Sequence, residues 1–242
     1  GSGFPDYINT QIQKRQEIIS SNNRSNSILQ YLTNRNVWVR LSSGANINES
    51  AETAQLNTLQ GGTILAGATK TRIKGGFNET YTKGNEDDLG FRPMPGITNA
   101  DVTFYNNGAL SKATINIKCF SKAQFSLLDV LYLRPGYTLL LEFGWSVFLN
   151  NTGDLEEQDS FKSSPLSFLL KPGSFEGDKN QYQMFQLIAE ERAKYFGNYE
   201  ACYGKITNFK WSFSTDGSYN CEITLVGMGD VLNSLKLNVT DP

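Results

Sequence analysis

The sequence predicts an α+β protein that is mainly β: an antiparallel barrel or rolled sheet with one packed short helix, an N-terminal helical extension and a helix-containing insertion. Three observations carry this expectation. Asn107-Gly108 and Asp216-Gly217 each stand between alternating apolar runs, and such dipeptides favour tight hairpin turns because the central residues need positive φ. Residues 137–143 form a nearly continuous apolar run of strand length, as expected of a strand covered on both faces. Between them, Ser121 precedes Gln124 by three residues, with Phe120 and Phe125 in the two staple positions, which is the signature of a helix start. Its apolar stripe continues through Leu128, Leu131 and Tyr132.

Residues 4–34 read as helical, with Ile8, Ile12 and Ile19 near one face, a break at residues 20–23, and Ser25 placed to cap a second short helix carrying Ile28, Leu29 and Leu32. Residues 36–43 are a strand in which Val37, Val39 and Leu41 alternate with Trp38 and Arg40. Together residues 1–43 make a helical extension and strand. Residues 44–95 are a Gly/Asn/Thr-rich connection, with a helical piece expected around Ser50 to Leu59. The run GGTILAGATK lacks the Gly-Lys-Ser/Thr of a phosphate loop.

The barrel itself is split between residues 96–146 and 201–236. In its first part Ile115, Ile117 and Cys119 face one way and Thr114, Asn116 and Lys118 the other; Arg134-Pro135-Gly136 ends the helix. In its second part Thr207, Phe209, Trp211 and Phe213 are expected on one face of a strand, before a return strand from Tyr219 to Val226. The 147–200 insertion holds an acidic surface loop, GDLEEQD at 153–159, and an amphipathic helix over 181–196. Tyr182, Phe185, Ile188, Ala189 and Phe196 are its stripe, Glu190 and Lys194 an i,i+4 pair, and Gly197-Asn198 its end.

Composition narrows the function. Histidine is absent, which removes His-based triads, His-ligated zinc and histidine general-base catalysis. The net charge is −2 with no basic run, so nucleic acid is not an expected partner. No apolar run reaches the ~18 residues a membrane span needs, and no charged-then-apolar leader is visible, so neither membrane insertion nor a secretory signal is expected. Cys119, Cys202 and Cys221 are odd in number and lack CxxC spacing, so they read as small buried hydrophobes in a protein made in a reducing compartment. Carboxylate groups at Glu190-Glu191, at Asp154, Glu156, Glu157 and Asp159, and at Glu86, Asp87 and Asp88 lack the spacing of hydrolase or calcium sites. No cofactor, metal or catalytic set is expected. Trp145, Trp211, Tyr137 and Phe209 are the aromatics available for packing, for an interface, or for stacking on sugars.

Two segments carry a family likeness. Gly136-Tyr137-Thr138-Leu139-Leu140-Leu141-Glu142-Phe143-Gly144 follows a G-x-x-V-x-L-x-x-G pattern with Leu139 in place of Val, and Cys202-Tyr203-Gly204-Lys205-Ile206 follows F-x-G-x-I with Cys202 in place of Phe. With the order of elements around them, about a third of the chain resembles the tube-forming barrel of tail hub proteins. That family includes baseplate hubs of contractile-tailed bacteriophages and the hub part of type VI secretion spikes. One barrel is evident here where hubs commonly carry two. The resemblance implies a non-enzymatic virion structural protein made in the host cytoplasm, a homo-oligomeric ring of three or six copies in the tail or baseplate. Such a ring links the tail tube to the central spike, and tube and spike proteins are its partners. Gly136, Tyr137, Gly144, Trp145, Tyr203, Gly204, Phe209 and Trp211 on the strands, and Tyr182, Phe185 and Ile188 on the 181–196 helix, are then the structural or interface candidates. The alternatives are a carbohydrate-binding adsorption module of a phage tail and a carboxylate-based tail hydrolase.

Overall fold

The computed structural model describes residues 6–21, 25–33, 37–43, 64–65, 95–105, 110–158 and 181–227. The helical piece at Ser50 to Leu59, the acidic group at 86–88, the Asn107-Gly108 turn, Asp159 and residues 228–236 lie outside them.

Helices α1 (Asp6–Ser20) and α2 (Asn26–Thr33) precede β1 (Val37–Ser43) and the two-residue β2 (Ile64–Leu65). β3 (Gly96–Tyr105) and β4 (Leu110–Cys119) follow, then α3 (Lys122–Tyr132) and β5 (Thr138–Trp145). The short strands β6 (Val147–Leu149) and β7 (Leu155–Glu157) lead to α4 (Gln181–Lys194), β8 (Glu200–Phe213) and β9 (Tyr219–Gly227). Seven strands form one sheet in the order β2-β1-β5-β8-β9-β4-β3, every pairing antiparallel, and β6 and β7 make a separate hairpin. The chain is thus mainly β, a curled antiparallel half-barrel with a few short helices. Among the described residues the sheet rolls without closing: β3 is one edge, and β1 with its short neighbour β2 the other.

The curl follows from β8, whose first half pairs with β5 and second half with β9. A bulge between Ile206 and Asn208 inserts Thr207 as an extra residue. Ile206 and then Phe209 therefore both face the core; without the extra residue the inward positions would pass to Asn208 and Lys210. Thr207 accordingly leaves the face expected for it and lies exposed. A second bulge between Ile97 and Asn99 does the same for β3, keeping Ile97, Ala100 and Val102 against the core.

Two layers cover the sheet. On the concave side Leu41, Ile115, Leu141, Ile223 and Leu225 pack with Leu128, Leu131 and Tyr132 of α3. The helix starts as its sequence requires: Ser121 Oγ accepts from Gln124 N–H, and Gln124 Oε1 accepts from Phe120 N–H at 2.7 Å. On the convex side Trp38, Leu140 and Tyr203 pack with Met184 and Ile188 of α4. β5 lies between both layers, as its continuous apolar run requires.

The helix stripes differ from expectation. α1 exposes Ile12 and Ile19 and buries Ile18; Tyr7, Gln11 and Lys14 share the inward side at helical spacing. Gln11 Nε2 donates to the Leu149 carbonyl at 2.7 Å, and this docking on the β6–β7 hairpin turns the helix away from the isoleucine stripe. In α4, Met184 is buried and Ala189 exposed, and Lys194 bridges Glu191 at 3.4 Å, not Glu190, which instead accepts from Gln186. The 153–159 segment is not wholly loop, since residues 155–157 are β7.

Candidate assembly interface

Several predicted candidates serve the chain's own packing. Ile188 and Tyr203 are buried, and Phe185 meets the Tyr203 ring edge-on at 6.0 Å, so they fasten α4 to the sheet and offer little surface to a neighbour. The Tyr182 side chain lies outside the described residues. Gly144 and Gly204 mark close approaches. A Cβ on Gly144 would stand 2.6 Å from the Asn198 carbonyl and 2.9 Å from the Trp38 ring, and one on Gly204 would collide with the Val226 backbone. Gly136 turns at φ 87°, donating to the Ile206 carbonyl at 2.8 Å, while Ile206 N–H returns a bond to the Tyr137 carbonyl. The two motif segments are therefore hydrogen-bonded to each other. Phe209 is half-buried against the core.

Beneath α4 lies a polar network that sequence reasoning missed. Arg40 and Glu142 are opposite each other in the β1–β5 register and both fully buried, joined by Nε–Oε2 at 3.2 Å and Nη2–Oε1 at 3.3 Å. Tyr199 Oη donates to Glu142 Oε1 at 2.8 Å, and the guanidinium lies over the Trp38 ring. Burial pushes the Glu142 carboxyl above its ordinary range while Arg40 opposes the shift, and burial likewise raises Tyr199. The signal was the opposite parity of Arg40 and Glu142 within apolar strands, but pairing them needed the register.

Other polar side chains are tied up locally. Asn198, just beyond α4, binds both backbone groups of Trp145, accepting from N–H at 3.0 Å and donating to the carbonyl at 2.8 Å. Asp154 and Glu156 bond Thr152 and Asn150 in the β6–β7 turn. Asp216 is held well below the usual carboxylate range by the Ser218 hydroxyl and the Lys118 ammonium. Cys119, Cys202 and Cys221 are buried free thiols, and burial pushes Cys202 up. Among the described residues no group of three or more Cys, Asp or Glu is arranged to hold a metal ion, and no helix is long and apolar enough to cross a membrane.

Among the described residues, two apolar features of the sheet face outward. The first is a cleft of about 440 Å³ between the lips of the half-barrel, where Ile97, Val102 and Phe104 of β3 face Val37, Val39 and Phe143. The second is a ridge at the β8–β9 hairpin, where Trp211 and Phe213 stand 52% and 62% exposed. Phe125 of α3 and Tyr219 brace it, each with its ring 5.0 Å from one of the two. Trp145 is exposed elsewhere, beside a pocket of about 150 Å³ lined by Arg15, Phe196 and Asn198. The chain matches no family model, no curated protein and no solved structure. Among the described residues, the surface offers an unpaired sheet edge and exposed apolar side chains, the raw material of association.

Proposed function

We propose that this chain is a non-enzymatic structural protein of a tailed-phage virion, a tail or baseplate hub-type ring component linking the tail tube to the central spike. The open half-barrel carries the reading. Its ten-residue edge strand β3 has no strand on its outer side among the described residues, and exposes Phe104 and Tyr105. Long exposed edges are normally blunted or covered, so a partner is the physical expectation. Repetition of one head-to-tail contact then closes a ring. The resemblance of the 136–144 and 202–206 segments to tail hubs supplies the biological setting.

The test is the mass and symmetry of the particle containing this chain, by native mass spectrometry and negative-stain class averages. A closed ring of three or six copies, or a tail-tip location, supports the proposal. A chain that stays monomeric with tube and spike proteins present defeats it. The exposed Trp145 and Trp211 favour glycan adsorption as a second reading. They lie on separate surfaces, so that reading expects glycan binding to fall on Trp145→Ala or Trp211→Ala alone, without unfolding.

A further inference from the structure

We propose that the Trp211–Phe213 ridge of one copy seats in the apolar cleft of the next, making the head-to-tail contact of the ring. The inference rests on the ring reading and names its contact.

The ridge and the open end of the cleft lie far apart within one chain. Phe213 pairs with Tyr219, which pairs with Cys119 at the end of β4, whereas Phe104 pairs with Ser111 near its start. The eight residues from Ser111 to Cys119 place the ridge about 27 Å along the strands from the exposed end of the cleft. That end is formed by Val37 and Phe104, themselves 58% and 49% exposed. The sheet thus carries a projecting apolar element at one end and a receiving one at the other. Repeated in one direction this is a heterologous contact that builds a ring, whereas a reciprocal two-fold pair, each ridge in the other's cleft, stops at a dimer.

The ridge is built to keep its shape when it is exposed. Phe125 stacks on Tyr219 with centroids 4.6 Å apart, and Trp211 and Phe213 lean on that pair. Holding these rings rigid lowers the entropic cost of seating them. The cleft, at about 440 Å³, can admit aromatic side chains.

Area decides how such a contact behaves. At 52% and 62% exposure the two aromatics have about 170–290 Å² left to bury on their own side, hence about 340–580 Å² over both partners. A stable pairwise interface starts near 1,200 Å². One contact is therefore weak, while a ring gives every copy two and makes the last one intramolecular. Assembly should be steeply concentration-dependent, with few dimers on the way.

The experiment is sedimentation velocity and native mass spectrometry of the full chain across a concentration series. Two double variants are compared with wild type, Trp211→Ala/Phe213→Ala and Val37→Asp/Phe104→Asp, with circular dichroism confirming the fold of each. Phe213→Ser alone replaces the first should that variant unfold. Each variant raises the half-assembly concentration at least about tenfold. Mixed together, the two variants form no ring and at most a weak one-to-one pair at the highest concentrations, because only one ridge and one cleft remain between them. A wild-type chain that never self-associates overturns the ring reading and this contact with it. A wild-type ring that survives either double variant, or a wild-type chain that stops at a dimer, overturns the head-to-tail contact.

Discussion

Replacing Glu142 by Leu strips the fully buried Arg40 of its carboxylate and Tyr199 of its acceptor. Removing one partner of a buried ion pair costs about 3–5 kcal/mol, because an uncompensated charge stays out of water. Against a total stability of about 5–15 kcal/mol, such a loss brings the chain close to unfolding. With a urea slope of about 3 kcal/mol per molar, the midpoint falls by about 1–1.7 M, followed by tryptophan fluorescence. Arg40→Met differs in a telling way. Burial already raises the Glu142 carboxyl, with Arg40 opposing, so without Arg40 the carboxyl rises further. A folded pKa above the unfolded one favours folding of the protonated form. The cost of Arg40→Met is therefore smallest below the ordinary carboxylate pKa of about 4.3, and grows as pH rises from there toward the raised folded value. The double variant Arg40→Met/Glu142→Leu removes both charges and recovers most of the lost midpoint, short of wild type by what the unpaired Tyr199 hydroxyl costs. A Glu142→Leu midpoint within about 0.3 M of wild type (about 1 kcal/mol), or a double variant no better than the worse single, would refute the reasoning.

Other outcomes follow from the same structure. Gly204→Ala drives a Cβ into the Val226 backbone and should cost about 3 kcal/mol, seen as a lowered urea midpoint. Asn198→Ala leaves both Trp145 backbone groups and Gln158 Oε1 without this partner, costing about 2–3 kcal/mol, or roughly 4–10 °C in thermal unfolding. Ser121→Ala removes the cap on Gln124 N–H and should cost about 1 kcal/mol by the same melt. Asp216 titrates by carbon-13 NMR below the usual carboxylate range, and Ser218→Ala moves it back up. Because its folded pKa is depressed, its contribution is present above the ordinary carboxylate pKa and is lost as pH falls through the folded value.

Local signals were legible wherever the chain's near neighbours decide the outcome. The Ser121 cap with Gln124, the Leu128–Leu131–Tyr132 stripe, the Ser25 cap and the alternation of Ile115, Ile117 and Cys119 depend on residues a few positions apart. The Asp216-Gly217 turn and the double-sided burial of β5 belong with them. Of the candidate site, the sequence marked Trp211 as a possible interface residue and put Phe213 on the same strand face, but did not link them to Phe125 and Tyr219 as one ridge.

Tertiary structure decided the rest, because those outcomes depend on residues far apart in sequence. Whether α1 turns Ile12 or Ile18 inward depends on where Gln11 finds the Leu149 carbonyl, 138 residues away. Arg40 meets Glu142 across 102 residues, through strand register alone. Whether the sheet closes depends on bulges and on the path of β8, which bends its two halves toward different neighbours. Composition and periodicity by themselves determined a mainly β chain with a rolled sheet and a capped helix. Only the packed structure left two lips apart with an apolar cleft between them, because the distance between β1 and β3 is set by everything that lies in between.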